Sequence, residues 1–144
     1  MKLGMVFPGQ GSQSVGMLKA YAGLAGVDAV RAEAAGALGA DFLKLLDEGP
    51  AEQLNLTVNT QPAMLTAAIA AYRAWLAAGG PAPAIVAGHS LGEYSALVAA
   101  GALRFAAVVV DGDRYGSAER KLELAAPLQL ETSWPRAVAP EDRF

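Results

Sequence analysis

Gly88-His89-Ser90-Leu91-Gly92 constrains this chain more than any other stretch. This Gly-x-Ser-x-Gly pentapeptide lies between an apolar run, Ala84-Ile85-Val86-Ala87, and an apolar helical pattern from Glu93 to Leu103. A strand that turns sharply and passes at once into a helix needs glycines around the turn, because side chains there would collide with the neighbouring strand and helix. The central residue is then held in a strained backbone conformation at the helix start, where free N–H groups point at it. A serine so placed is built to attack a carbonyl carbon.

The rest of the chain supplies a context for such an elbow. Leu3 to Phe7 reads as a short buried strand, followed by the loop Pro8-Gly9-Gln10-Gly11-Ser12-Gln13. Helices are expected over Gly16 to Leu24, over Asp28 to Leu38 with Asp28 as cap, and over Phe42 to Asp47 with Asp41 as cap. One more turn is expected from Pro50 to Leu54. Thr60 can cap a long helix from Pro62 to Ala78, with the proline near the first turn, where its missing N–H costs nothing. Ala84 to Ala87 is the second strand. This alternation argues for an α/β sheet. After Leu103, Phe105 to Val110 reads as a strand, Gly116 to Ala126 as a helix, and Pro127 to Phe144 as poorly ordered.

Composition narrows the function. The chain has 144 residues, room for one modest domain, and a net charge of −3, so it lacks the basic character that nucleic-acid binding wants. It has no cysteine and one histidine, which argues against disulfides, a thiol nucleophile or a metal site. The N-terminal apolar stretch is too short for a signal peptide, and Ala63 to Gly80 contains Arg73 and reads as a buried helix, not a membrane span. A soluble cytoplasmic protein with no membrane or nucleic-acid partner is expected.

Loops at the carboxyl ends of parallel strands gather at one site, so Pro8 to Gln13 belongs beside the elbow. It is not a phosphate-binding loop: the Lys-Ser/Thr ending is absent, and the third glycine of a dinucleotide fingerprint is missing. Three stretches together carry a resemblance: Met5-Val6-Phe7-Pro8-Gly9-Gln10-Gly11-Ser12-Gln13, Asn59-Thr60-Gln61-Pro62-Ala63, and Gly88-His89-Ser90-Leu91-Gly92-Glu93-Tyr94-Ser95-Ala96-Leu97. In order and spacing they resemble the malonyl-CoA:acyl-carrier-protein transacylase family, over roughly residues 1 to 105.

The resemblance implies an α/β fold with a nucleophile elbow: part of an α/β-hydrolase-like, three-layer parallel sheet whose second half and small ferredoxin-like subdomain are missing. Residues 1–105 would be the N-terminal part of the large subdomain and 106–144 a divergent tail. It implies that Ser90 takes a malonyl group from malonyl-CoA as an acyl-enzyme and passes it to the phosphopantetheine thiol of an acyl carrier protein, in fatty-acid or polyketide synthesis. No bound cofactor or metal is implied; malonyl-CoA is the substrate. The oxyanion would be held by the backbone N–H groups of Gln10 and Leu91. Gln61 would lie near the pocket, or else be a helix-start residue that hydrogen-bonds a loop.

Two departures bear on activity. The family's general base is a histidine well downstream, whereas the only histidine here is His89, and neighbouring side chains diverge at a tight elbow. The family's malonyl carboxylate meets an arginine in the helix after the elbow helix. Arg114 falls about there, in Val110-Asp111-Gly112-Asp113-Arg114, a sequence that also reads as a solvated turn. The family pattern fades beyond Phe105, as a shift of reading frame would make it do. The chain is expected to be weak or inactive alone. Its rivals are a serine hydrolase or thioesterase with the same elbow, and a non-catalytic remnant whose half-sheet would self-associate through exposed apolar surface.

Overall fold

The computed structural model describes residues 2–110. The first strand, β1 (Gly4–Phe7), runs into the loop from Pro8 to Gln13. Where a helix from Gly16 to Leu24 is expected, the chain makes turns around a single 3-10 turn, Lys19–Tyr21. Gly16 and Gly23 bracket it at φ +76° and +85°, left-handed values that end a helix on either side.

Four helices follow: α1 (Ala25–Leu38), α2 (Ala40–Glu48), α3 (Ala51–Leu54) and α4 (Thr57–Ala77). The expected caps are displaced. Asp28 and Asp41 lie inside the first turns of α1 and α2, and Asp28 reaches back to accept the Gly23 N–H at 3.3 Å. Thr60 does not cap α4 either. Its hydroxyl is buried and donates to the Leu54 carbonyl at 2.6 Å, which closes α3 onto the start of α4. Pro62 sits within α4, where it forfeits the hydrogen bond to the Val58 carbonyl, and the helix continues because Ala63, Leu65, Ile69 and Ala70 carry a buried face onward.

The second strand, β2 (Ile85–Gly88), lies parallel to β1 in the register Gly4↔Ile85, Met5↔Val86, Val6↔Ala87, Phe7↔Gly88. The elbow then opens α5 (Gly92–Ala99). This helix stops short of the expected Leu103 because Gly101 adopts φ +76°; the Gly101 N–H bonds the Val98 carbonyl at 3.0 Å and the Ala102 N–H bonds that of Leu97 at 2.9 Å. Phe105 to Val110, expected as a strand, begins instead with a short helix, α6 (Phe105–Val109). Phe105, Val108 and Val109 are buried, a spacing of three and four that places one helical face against α1 and α4.

The core is therefore helical: Val27, Val30 and Ala34 of α1, Leu46 of α2 and Leu54 of α3 meet Leu65 and Ile69 of α4 and the buried face of α6. Helices α1 and α4 cross closely at Gly26, where a Cβ would lie 2.6 Å from the Ala74 nitrogen. Two ion pairs brace the outside. Arg31 holds Asp47 with two hydrogen bonds of 2.8 and 2.6 Å, and Arg73 meets Glu33 at 2.8 Å while lying over the Phe105 ring.

Helix α4 joins the sheet through Phe7, whose ring stands edge-on to Tyr72 with 6.3 Å between centroids. The Tyr72 hydroxyl donates to the carbonyl of Ala99 at the end of α5. Helices thus cover one face of the sheet. The other face is bare among the described residues: Val6 is 75% exposed and Ile85 66%. Of the three layers expected, the described residues form two.

Candidate active site

The turn after β2 has the steric tightness its glycines imply. A Cβ on Gly88 would overlap the Gly92 carbonyl, and one on Gly92 would overlap the Phe7 carbonyl oxygen, so both positions require glycine. Between them Ser90 has φ +55°, the one non-glycine residue with positive φ among the described residues. Such a left-handed conformation costs an L-residue about 1–2 kcal/mol and persists where the surroundings over-determine it. Those surroundings are in place: the Gly92 N–H bonds the His89 carbonyl at 2.9 Å, the Glu93 N–H bonds that of Ser90 at 3.0 Å, and the His89 N–H bonds the Phe7 carbonyl at 3.3 Å.

The result is an exposed Ser90 at the N-terminus of α5, at the carboxyl end of the sheet. Because β1 and β2 are parallel neighbours, the loop after β1 lies alongside. Gly9 approaches most closely; a Cβ there would sit 3.2 Å from the His89 carbonyl oxygen and 3.7 Å from the Ser90 Cβ. Gln10 follows Gly9 in this loop. Among the described residues the backbone N–H groups of Gln10 and Leu91 have no hydrogen-bond partner, so both donors remain available to a negative oxygen.

Gln61 lies within α4. Three residues on, Met64 shares its helical face and takes a weak contact of 3.9 Å from the Ser12 hydroxyl, which puts this stretch of α4 against the loop. The Gln61 Oε1 is buried and has no hydrogen-bond partner among the described residues. A buried acceptor in that state costs about 1–3 kcal/mol until a donor reaches it. His89 is exposed beside the elbow and makes no hydrogen bond to Ser90 among the described residues, as the divergence of neighbouring side chains implies. Arg114 lies outside the described residues.

Two grooves lie elsewhere. One, of about 440 Å³, runs between Phe42 of α2, Pro62 of α4 and Val109 of α6; another, of about 520 Å³, lies beside Arg73 and Arg104. Neither includes Ser90. No group of three or more His, Cys, Asp or Glu side chains able to hold a metal occurs among the described residues. None of their helices is long and apolar enough to cross a membrane.

Two contacts in the loop escape a reading of the sequence. Gln13 accepts the Gly11 N–H at 2.7 Å and donates to the Asn55 Oδ1 at 3.0 Å. The motif that contains Gln13 stands out in the sequence, but nothing local to Asn55 marks it as a partner.

Comparison with known proteins bears on this arrangement. Residues 5–124 match the family model for the acyl transferase domain. The malonyl CoA-acyl carrier protein transacylase of Escherichia coli (strain K12) is 59% identical over 105 residues, which cover 72% of this chain and 34% of that protein. The Bacillus subtilis (strain 168) protein of the same name is 49% identical over 105 residues, or 72% of this chain and 33% of its own length. The crystal structure of an acyl-carrier-protein S-malonyltransferase from Burkholderia pseudomallei 1710b superposes with a TM-score of 0.72 at 64% identity, over 76% of this chain and 36% of that one. A type II PKS acyl-carrier protein in complex with its malonyl-transacylase gives 0.72 at 48% identity, over 78% and 38%. The chain thus spans about a third of the length of the curated relatives it matches.

Proposed function

Since this chain belongs to the acyl transferase domain family, we propose that it takes part in moving a malonyl group from malonyl-CoA to the phosphopantetheine thiol of an acyl carrier protein, with Ser90 as the nucleophile. The observation that carries this reading is the left-handed Ser90 at the start of α5, with the Pro8–Gln13 loop packed against it. Relatives 59% identical carry that transfer in their name, and a structural neighbour is bound to a carrier protein. Both spans are partial, so substrate and partner are part of the proposal.

In this reading the Ser90 Oγ attacks the thioester carbonyl of malonyl-CoA. The charge that develops on the carbonyl oxygen is met by the N–H groups of Gln10 and Leu91 and by the positive end of α5. The carbon–sulfur bond breaks, coenzyme A leaves as the thiol, and malonyl-Ser90 remains. The carrier's thiol attacks the ester carbonyl in turn, and Ser90 recovers its proton as the Oγ–carbon bond breaks. Gln61 is assigned to the acyl group, which its amide N–H groups could reach as donors, and Arg114 to the malonyl carboxylate. The reaction needs no bound cofactor and joins two partners of the cytoplasm. Residues 1–105 are assigned to the N-terminal part of the transferase's large subdomain and residues 106–144 to a divergent tail, although the match to the family model runs on to residue 124.

The Ser90 hydroxyl lacks a base among the described residues, and the chain's one histidine, His89, is not placed to serve. Losing a triad partner costs roughly three to six orders of magnitude in rate, so acylation in this chain is expected to be slow. Intact mass after incubation with malonyl-CoA, beside Ser90→Ala, tests the reading. A malonyl adduct that vanishes in Ser90→Ala supports it. No adduct on a folded chain overturns it for this chain. Release of free malonate without a carrier would make the protein a hydrolase.

A further inference from the structure

The Pro8–Gln13 loop makes little use of backbone hydrogen bonding. Among the described residues its tethers are three side-chain contacts: Gly11 N–H to Gln13 Oε1, Gln13 Nε2 to Asn55 Oδ1, and Ser12 Oγ to Met64 Sδ. The last is a weak contact at 3.9 Å. Gly11 has φ +123°, a value open to glycine, so the segment that carries Gln10 turns on the most flexible residue type. A loop of this kind keeps one conformation only if something outside it does the holding.

We propose that Gln13 is a positioning residue: its carboxamide spans from the Gly11 N–H to Asn55, and this strut holds the Gln10 N–H beside Ser90. Both halves of the amide are used. The oxygen fixes the loop's own backbone, and the nitrogen anchors that backbone to the connection between α3 and α4. Asn55 is itself fixed, because its N–H bonds the Ala51 carbonyl at 2.9 Å and the next turn is closed by Thr60 on Leu54 and by Asn59 on Gln53. The anchor is therefore the helical core rather than another loop.

The catalytic consequence rests on the function proposed above. An oxyanion donor acts on charge that appears only in the transition state, so a loosened strut slows the acylation step without weakening the capture of malonyl-CoA.

Three variants of the full chain test this: Gln13→Met, which keeps length and loses both hydrogen bonds; Gln13→Glu, which keeps the acceptor for Gly11 and can take a donor from a rotated Asn55 amide; and Asn55→Ala, which cuts the anchor alone. Amide hydrogen exchange at Gln10 and Gly11, followed residue by residue, reads the loop directly. Malonyl-Ser90 formation over a range of malonyl-CoA concentrations reads the chemistry. In Gln13→Met, exchange at Gly11 is expected to rise about tenfold, as loss of one hydrogen bond allows. Maximal acylation should fall by roughly tenfold with the half-saturating concentration unchanged. Asn55→Ala should move both in the same direction, and Gln13→Glu should restore both. Unchanged exchange at Gly11 in Gln13→Met overturns the strut, as does a Gln13→Glu chain no better than Gln13→Met. A raised half-saturating concentration at unchanged maximal rate also overturns it. If the parent chain forms no adduct, the acylation reading fails, while exchange in the three variants still decides whether the strut exists.

Discussion

The two faces of the β1–β2 sheet live in different environments. One lies against α4 and α5 and continues into a core in which Val27, Val30, Leu46, Leu65, Ile69, Val108 and Val109 are wholly buried. The other presents Val6 and Ile85 to solvent, with both strand edges unpaired among the described residues. Parallel strands are normally covered on both faces. The contrast separates what local packing achieves from what it does not: the described helices can build a core and set an elbow on its rim, but they leave the sheet's second face open.

The largest expected difference is in what a buried side chain is worth on each side. Ile69→Ala should cost about 3–4 kcal/mol, because the cavity forms where neighbours cannot collapse, while Ile85→Ala should cost under about 0.5 kcal/mol. Denaturant midpoints of the two variants measure it directly. Comparable losses would mean that the bare face is covered in solution.

A smaller effect tests the helical side alone. The Arg31 guanidinium holds the Asp47 carboxyl below its usual range through paired hydrogen bonds, and Asp47 in turn raises Arg31. A carboxyl whose folded value is depressed contributes fully above its unfolded value, near 3.8, and loses that contribution as pH falls through the folded value. Asp47→Asn should therefore destabilise the fold by about 1 kcal/mol at pH 7, a difference that vanishes in strong acid. Melting curves of parent and variant across that range should converge. A gap that persists at low pH would count against the ion pair.

The smallest change in stability should come with a visible change in association. Val6→Thr and Ile85→Thr should leave the melting temperature nearly unchanged and shift sedimentation toward monomer, since an exposed apolar face with free edges invites contact between copies. A parent chain that is already monomeric at high concentration would remove this expectation.

These differences also bear on what could be read in advance. The elbow was legible because its signal is local: glycines two residues to either side of Ser90 leave one steric solution. The β1 strand and the long α4 were legible as apolar runs. Gly16 to Leu24 misled because its apolar spacing outweighed the glycines at its ends, which the structure uses as left-handed breaks. Phe105 to Val110 misled by β-branched composition, whereas burial of Phe105, Val108 and Val109 on α1 and α4 selects a helix. Pro62 marked a helix start by rule, yet α4 was already under way at Thr57. At the site, the sharp turn at Ser90 and the loop packed beside it were legible from motif and topology. The strut was not, because Gln13 and Asn55 stand 42 positions apart and meet only when α3 folds back beneath the loop.

The left-handed Ser90 has a consequence for how such a chain drifts under selection. Glycine would occupy the same backbone position without strain, so replacing the serine should make folding easier by about 1 kcal/mol. A screen that rewards heat resistance alone would therefore erode the nucleophile first, and a library enriched for robust folders would fill with inert ones. Persistence of serine at position 90 in a thermally selected pool would be a signature that chemistry, not folding, was being kept.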